Sequence, residues 1–355
     1  MLDKKKVVLG LSGGVDSTTA ALLLKEKGLE VTGLYFDVFE NNDEGRREAQ
    51  KVAEELGIDF VYVNVHERFE DIVIDNFCNE YIKGRTPNPC IVCNPAVKFK
   101  TLLDYADKIG AYYIATGHYG QTVYSEEFKS WFIKRGNSKK DQTYMLYRLP
   151  QEIISRFLMP LEGYEKKEDV RALAEENGIS NAKKKDSQEI CFIAGDSTYI
   201  EFLNERGYTS EDGKYVDKSG NFLGNHKGVI NYTIGQRKGL GVTFGKPAFV
   251  VSLNAETGDI VIGDNEDLFK DTVHISDCFF PMTGSSEFPE VLEGITVEAK
   301  IRYAAKPSEA VLQRKDNGCA VLRFKEKQRA ATPGQSLVFY KDDMVLGGGY
   351  IDFSE

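Results

Sequence analysis

Ser12-Gly13-Gly14-Val15-Asp16-Ser17 follows an apolar run, Val7-Val8-Leu9-Gly10-Leu11, and opens a helical pattern from Thr18 to Lys27 that carries Ala20, Ala21, Leu22, Leu23 and Leu24. Strand, glycine-rich turn, helix is the order that makes an anion site. Two adjacent glycines let the main chain approach a phosphate closely. The helix N-terminus adds unpaired N–H groups and the positive end of a dipole. Ser12 and Ser17 add hydroxyl donors. Asp16 is odd in a purely anionic site and implies a metal or an orienting bond. No Lys follows the glycines, so this is not the lysine-bearing P-loop, nor is it G-x-G-x-x-G. The competing reading is a plain turn capped by Ser17.

Outward from this loop, strands and helices alternate. Val31 to Phe36 reads as a second strand and Phe60 to Val65 as a third. Between them, Asp43 to Leu56 places Ala49, Val52, Ala53 and Leu56 at helical spacing. Phe99 to Ile109 reads as a helix and Tyr112 to Ala115 as a fourth strand. A βαβ series predicts an α/β fold, a doubly wound parallel sheet with helices on both faces. The loop after strand one then lies at the sheet edge where such folds bind ligands. Helical patterns continue through Gln151–Phe157 and Glu168–Asn177. After about residue 205 glycine becomes frequent and short strands take over, at Lys214–Val216, Ala248–Asn254 and Asp259–Ile262. From Asp271 onward the pattern is almost all β, which predicts a barrel or sandwich. The expected organisation is therefore a catalytic domain over 1–204, a small mixed central domain over 205–270 and a β-barrel over 271–355.

The chain has 355 residues, 41% hydrophobic and 28% charged, which is ordinary for a soluble globular protein. It has no apolar segment long enough to span a bilayer, so no membrane partner is expected. Met1 to Lys6 runs directly into the first strand, which leaves no room for a signal peptide and predicts a cytoplasmic protein. Six cysteines in that compartment read as metal-binding, catalytic or core thiols, not as a disulfide framework. The net charge of −10 argues against a general nucleic-acid coat but permits a local basic groove.

Two further stretches carry chemistry. In Arg85-Thr-Pro-Asn-Pro-Cys90-Ile-Val-Cys93-Asn94, two prolines bracket an asparagine, so a rigid extended loop is expected ahead of a C-x-x-C pair, with Lys98 and Lys100 just beyond. The second is Asp186-Ser187-Gln188-Glu189-Ile190-Cys191-Phe192-Ile193, just after the basic run Lys183-Lys184-Lys185. Cationic neighbours favour the thiolate, the form that attacks and ligates. A zinc site would need two more ligands at recognisable spacing, and no second C-x-x-C or H-x-x-x-H exists. Cys78, Cys278 and Cys319 read as core thiols.

The Ser12–Ser17 loop resembles that of the ATP pyrophosphatases, which cleave ATP between the α and β phosphates and adenylylate a substrate carbonyl. The whole chain resembles the bacterial tRNA-specific 2-thiouridylases. The motifs TPNPxxxCN, ATGHY (Ala115–Tyr119), KDQTY (Lys140–Tyr144), KKDSQEICFI (Lys184–Ile193), YTIGQRKGLG (Tyr232–Gly241), IRY (Ile301–Tyr303), PGQS (Pro333–Ser336) and LGGG (Leu346–Gly349) fall in family order. The resemblance implies that Gly10, Leu11, Ser12, Gly13, Gly14, Val15, Asp16 and Ser17 cradle the ATP phosphates. It implies that the Phe36 main chain holds the adenine and that Gly117 is another ATP contact. Asn88, Pro89 and Cys90 would touch the target base; Lys140, Asp141 and Gln142, with Arg302 and Tyr303, would contact tRNA. Cys191 would carry a persulfide and Cys93 would attack to release the thiolated base.

The chemistry fits these residue types. Uracil carbon 2 bears a poor leaving oxygen, and adenylylation makes it a good one. Mg²⁺ would offset the phosphate charge. The wobble base would have to be flipped out to expose that carbon. Many family members have Asp where this chain has Cys90, so here three thiols are offered. Cys90, Cys93 and Cys191 could hold a 4Fe-4S cluster with one open iron, or Cys90 could be a bystander to a persulfide relay. The family implies tRNA acceptors for Lys, Glu and Gln and a sulfur-donor protein, a cysteine desulfurase or a relay. An amide-forming ATP pyrophosphatase is the alternative, and it would need neither the thiols nor the β-rich tail.

Overall fold

The computed structural model describes residues 2–39, 43–136, 138, 140–182, 190–193, 195, 197–242, 245, 247–315 and 320–352. The expected parallel sheet is present. Strands β1 (Asp3–Gly10), β2 (Glu30–Asp37), β3 (Asp59–Asn64) and β4 (Ala111–Ala115) join Phe157–Leu158 in the order β3–β2–β1–β4–Phe157. Every pairing is parallel, with Val7 opposite Val31 on one side and Tyr113 on the other. Val7, Val8 and Leu9 are fully buried because β1 is central and covered on both faces, hence the unbroken apolar run. Helix α1 (Val15–Glu26) buries Ala20, Ala21 and Leu24; helix α2 (Asp43–Leu56) buries Ala49, Val52, Ala53 and Leu56, the four residues picked out by spacing.

The central unit is a four-stranded sheet in the order Phe249–Leu253, Asp259–Gly263, Gly213–Val216, Phe222–His226. Its core is continuous with the catalytic unit: Tyr215, Val250 and Ile260 share one cluster with Phe69, Phe77 and Cys93.

The C-terminal unit is a closed barrel of six strands. Phe269–Phe279 pairs with Ala320–Arg329 on one side and Met344–Ile351 on the other, so no edge is left between them. Sequence patterning did not reveal that the catalytic unit adds a hairpin to this sheet. Gln121–Ser125 and Ser130–Lys134 pair with each other, and Lys134 meets Met344. The Gly347–Gly349 stretch has a packing reason. A Cβ on Gly348 would lie 2.9 Å from the ring of Tyr147, which reaches in from the catalytic unit.

Candidate active site

The phosphate loop sits where β1 ends, and its conformation is set locally. Gly13 has φ +73°, a region that side chains disfavour, and a Cβ there would meet the Ala49 main chain at 3.0 Å. The Ser12 amide donates to the Ser17 hydroxyl at 3.2 Å, and that hydroxyl donates to the Gly14 carbonyl at 3.0 Å. Asn181 donates to the Gly13 carbonyl at 2.6 Å. Gly117 is required by contact: a Cβ would lie 2.7 Å from the Asp16 carbonyl carbon. The ATGHY loop therefore presses directly on the start of α1.

Asp16 makes an orienting bond through each of its oxygens. Its Oδ1 accepts from the Tyr119 hydroxyl at 2.8 Å, and its Oδ2 pairs with the Lys167 ammonium at 2.9 Å. Lys167, on the helix Lys167–Glu176, is almost wholly buried. Tyr119 stood in the sequence only as the last residue of ATGHY, and Lys167 in no motif. Their sequence neighbours gave no hint of a partner so far along the chain.

The ends of β1, β2 and β4 meet beside the loop. A Cβ on Gly10 would touch the Phe36 ring at 3.2 Å and Thr116 at 3.7 Å. Phe36 packs against both the core that contains Cys93 and the core beneath the sheet. Thr116 Oγ1 and His118 Nδ1 are 2.7 Å apart, and His118 stacks on Phe99 with ring centroids 6.1 Å apart. Burial, and next the nearby Lys98 ammonium, push the His118 pKa down to about 3, so the ring is neutral.

The thiol loop lies next to this. Asn88 caps a short helix, Pro89–Cys93, by accepting the Cys90 amide at 3.2 Å, and Pro89 occupies its first turn, where a missing N–H does no harm. The chain then widens into a π turn, Asn94–Phe99. Lys98 lies in that turn, in electrostatic contact with all three thiols. Burial works to lower its pKa, but Cys93, Cys90 and Cys191 outweigh this and raise it. Cys191 is brought in by a turn, Ile193 N–H to Ile190 O at 3.0 Å, that is anchored by Phe192. The Phe192 ring packs edge-on against Phe69 at 5.8 Å and Phe77 at 5.1 Å. Cys191 itself is reachable from solvent, though surrounded by enough protein to desolvate a thiolate.

Here the structure corrects one expectation and leaves another without support. Thiolate character was expected from basic neighbours, but burial dominates. It pushes the Cys93 thiol up to about 11, with Lys98 opposing and Cys191 and Cys90 adding to the rise. Burial likewise raises Cys191, again against Lys98. The cation in contact is Lys98, while Lys183–Lys185 lie outside the described residues, as does Cys319. The second expectation concerns the cluster. Among the described residues no group of three Cys, His, Asp or Glu side chains is placed to hold a metal, so a 4Fe-4S cluster on Cys90, Cys93 and Cys191 has no support in the structure.

The segments proposed for tRNA contact come together at the junction with the barrel. Burial, and next the Asp141 carboxylate, raise the Tyr303 pKa, and Lys300 lies 5.5 Å from the Tyr303 ring and 5.8 Å from that of Tyr144. Burial raises the Asp141 pKa, opposed by Thr143, Lys300 and Arg135. Arg302 and Lys140 are exposed, which suits phosphate contact. Gln142 instead faces inward: its side-chain oxygen accepts the Tyr119 amide at 3.1 Å, tying this segment to the ATGHY loop.

Comparison with known proteins agrees over the whole length. Residues 5–195 match the family described as tRNA methyl transferase HUP domain, 200–264 the tRNA methyl transferase PRC-barrel domain, and 285–351 the aminomethyltransferase beta-barrel domain. The chain is 44% identical over 360 residues to tRNA-specific 2-thiouridylase MnmA 1 of Clostridium botulinum (strain Okra / Type B1), covering 99% of each chain. It is 44% identical over 367 residues to tRNA-specific 2-thiouridylase MnmA of Clostridioides difficile (strain 630), covering 100% of each. A HUP domain whose first strand ends in a phosphate loop, a thiol loop beside it and relatives matched end to end leave one assignment: the chain belongs to the tRNA-specific 2-thiouridylase family.

Proposed function

We propose that the protein converts the wobble uridine of tRNA to 2-thiouridine at the expense of ATP, with sulfur passing through Cys191 and Cys93. The observation that supports this most strongly is the placement of the phosphate loop and the Lys98-linked thiols at one sheet edge, joined through Gly10, Phe36, Thr116 and His118. A ligase of the amide-forming kind would leave those thiols without a role.

The loop Gly10–Ser17 and Gly117 hold ATP, with the adenine at the Phe36 main chain, so that the uracil carbonyl oxygen can attack the α phosphorus. Pyrophosphate leaves and the base carries AMP on that oxygen. A persulfide on Cys191, charged by a cysteine desulfurase or relay protein, attacks carbon 2 through its outer sulfur, and AMP departs. The Cys93 thiolate then attacks the Cys191 sulfur. The bond between the two persulfide sulfurs breaks, its electron pair staying with the sulfur on the base, and a Cys93–Cys191 disulfide remains for a dithiol to reduce. Lys98 favours the thiolate form at each sulfur step, against the burial that keeps the resting thiols protonated. Asn88, Pro89 and Cys90 contact the flipped base. Lys140, Asp141, Arg302 and Tyr303 bind the tRNA around it, with the Lys, Glu and Gln acceptors as substrates. The setting is the cytoplasm, and among the described residues no helix is long and apolar enough to cross a membrane.

The test is reconstitution with metal-free enzyme, MgATP labelled at the α phosphate, unmodified tRNA and a persulfide donor. The reading requires one AMP per 2-thiouridine. AMP release without thiolation, or thiolation that needs added iron, would overturn it.

A further inference from the structure

The barrel does more than border the thiol loop. Thr86 stands two residues before Asn88, and both of its main-chain polar groups are bonded to one barrel loop. Its amide donates to the Pro333 carbonyl at 2.8 Å, and its carbonyl accepts from the Gln335 side chain at 2.8 Å. Between these lies Gly334, with φ +87°, where a Cβ would strike the Thr86 amide nitrogen at 2.8 Å. Beside it Arg85 reaches the barrel's last strand, pairing with Asp352 at 2.9 Å while its Nε bonds Glu80 at 2.7 Å. The same barrel loop also grips the stretch that directly follows Lys140, Asp141 and Gln142. The Ser336 carbonyl accepts from the Tyr144 hydroxyl at 2.7 Å, and its hydroxyl lies 3.2 Å from that of Tyr147. Ser336 is wholly buried, and the loop is pinned to the last strand, Met344–Ile351, by Gly334 N–H to Ile351 O at 3.0 Å.

We propose that the barrel loop Pro333–Ser336 is a positioning device for the reaction, in which Gly334 and Gln335 fix the thiol loop through Thr86 so that tRNA seated on the barrel meets Cys93 in register. This rests on the function proposed above. The physical reason is distance along the chain. Pro87, Asn88 and Pro89 form a stiff connector with few free torsions, so a displacement of Thr86 is transmitted to the helix Pro89–Cys93 rather than absorbed. The turn Thr143–Leu146, which directly follows Lys140, Asp141 and Gln142, is held by the same anchor through Tyr144, so the thiol loop and that segment share one frame.

The experiment uses the full-length protein with Gln335→Glu, Gln335→Ala and Gly334→Ala. Glu keeps the volume of Gln but sets a carboxylate against the Thr86 carbonyl in place of a donor. The expected result for Gln335→Glu is a kcat for thiolation lowered about tenfold or more, since a misplacement near 1 Å can cost about a hundredfold. The tRNA dissociation constant and the KM for ATP should stay within about twofold, because neither surface is altered. Alkylation of Cys93 by iodoacetamide should accelerate as its loop loosens. Gln335→Ala should show the same split in weaker form, and Gly334→Ala a stronger one. Unchanged kcat and unchanged alkylation in Gln335→Glu would overturn the proposal, as would a loss of kcat matched by an equal loss of tRNA affinity. The alkylation rate decides the matter independently of turnover. An inactive wild type would therefore count against the function and leave the positioning claim still decidable.

Discussion

Replacing Lys167 by methionine should loosen the phosphate loop by an amount the structure allows one to work out. Lys167 is 5% exposed and Asp16 is 30% exposed, so the pair lies between a buried and a surface ion pair. Removing one partner of a buried pair costs about 3–5 kcal/mol, whereas an exposed pair is worth about 0–1. Asp16 keeps its 2.8 Å bond from Tyr119 and can draw on water at its exposed side, so we expect about 2 kcal/mol of destabilisation for Lys167→Met. Asp16→Asn should be worse, about 3 kcal/mol, because it strands the more deeply buried ammonium. The double variant should be less destabilised than the sum of the two, because each single change leaves a different unpaired group. Urea denaturation followed by circular dichroism, with ATP titrations on the same samples, reads both stability and loop order. A Lys167→Met protein within about 0.5 kcal/mol of wild type, or strictly additive single changes, would refute the reasoning.

Burial places the Cys93 thiol at about 11, so its alkylation rate should climb about tenfold per pH unit from pH 7 to 10. Lys98→Met removes the chief opposing charge and should lower the rate at pH 8 further, and a plateau below pH 8.5 would contradict this assignment. His118 is held neutral with a folded pKa of about 3, below its unfolded value of about 6.5. The unfolded chain therefore binds a proton that the folded chain does not, and stability falls with pH below about 6.5 by up to about 1.4 kcal/mol per unit. His118→Gln should flatten that slope in denaturation midpoints measured from pH 8 to 5, and an identical slope would count against it. Gly117→Ala forces a Cβ against the Asp16 main chain at 2.7 Å; it should cost about 1–3 kcal/mol and raise the KM for ATP, which a kinetic titration will show.

How far the sequence carries the reader depends on the range over which each signal acts. The strand β1, the loop and α1 are legible because the apolar run, the glycines and the helical spacing are contiguous. The spacing of Ala49, Val52, Ala53 and Leu56 fixed which face α2 buries. The hairpin Gln121–Lys134 escaped because its strands are five residues each and owe their place to the barrel edge at Met344. The partners of Asp16 were invisible for the same reason, since Lys167 lies 151 residues away. Lys98 stood in view beside the C-x-x-C pair, yet the denser run Lys183–Lys185 looked the stronger source of charge. A π turn at Asn94–Phe99 also shifts Lys98 off the face that regular helical spacing assigns it. Thiol acidity was misjudged because a sequence displays neighbouring charge but not the burial that outweighs it.

The central claim is that two of the three thiols, Cys93 and Cys191, carry the sulfur and that Cys90 does not. It is tested most directly by nucleoside mass spectrometry of tRNA incubated with MgATP, a persulfide donor and, in parallel, wild type, Cys90→Ser, Cys93→Ser and Cys191→Ser. The account predicts 2-thiouridine from wild type and Cys90→Ser and none from Cys93→Ser or Cys191→Ser. Loss of product with Cys90→Ser to the same degree as with the other two, or full product with either of them, would contradict it.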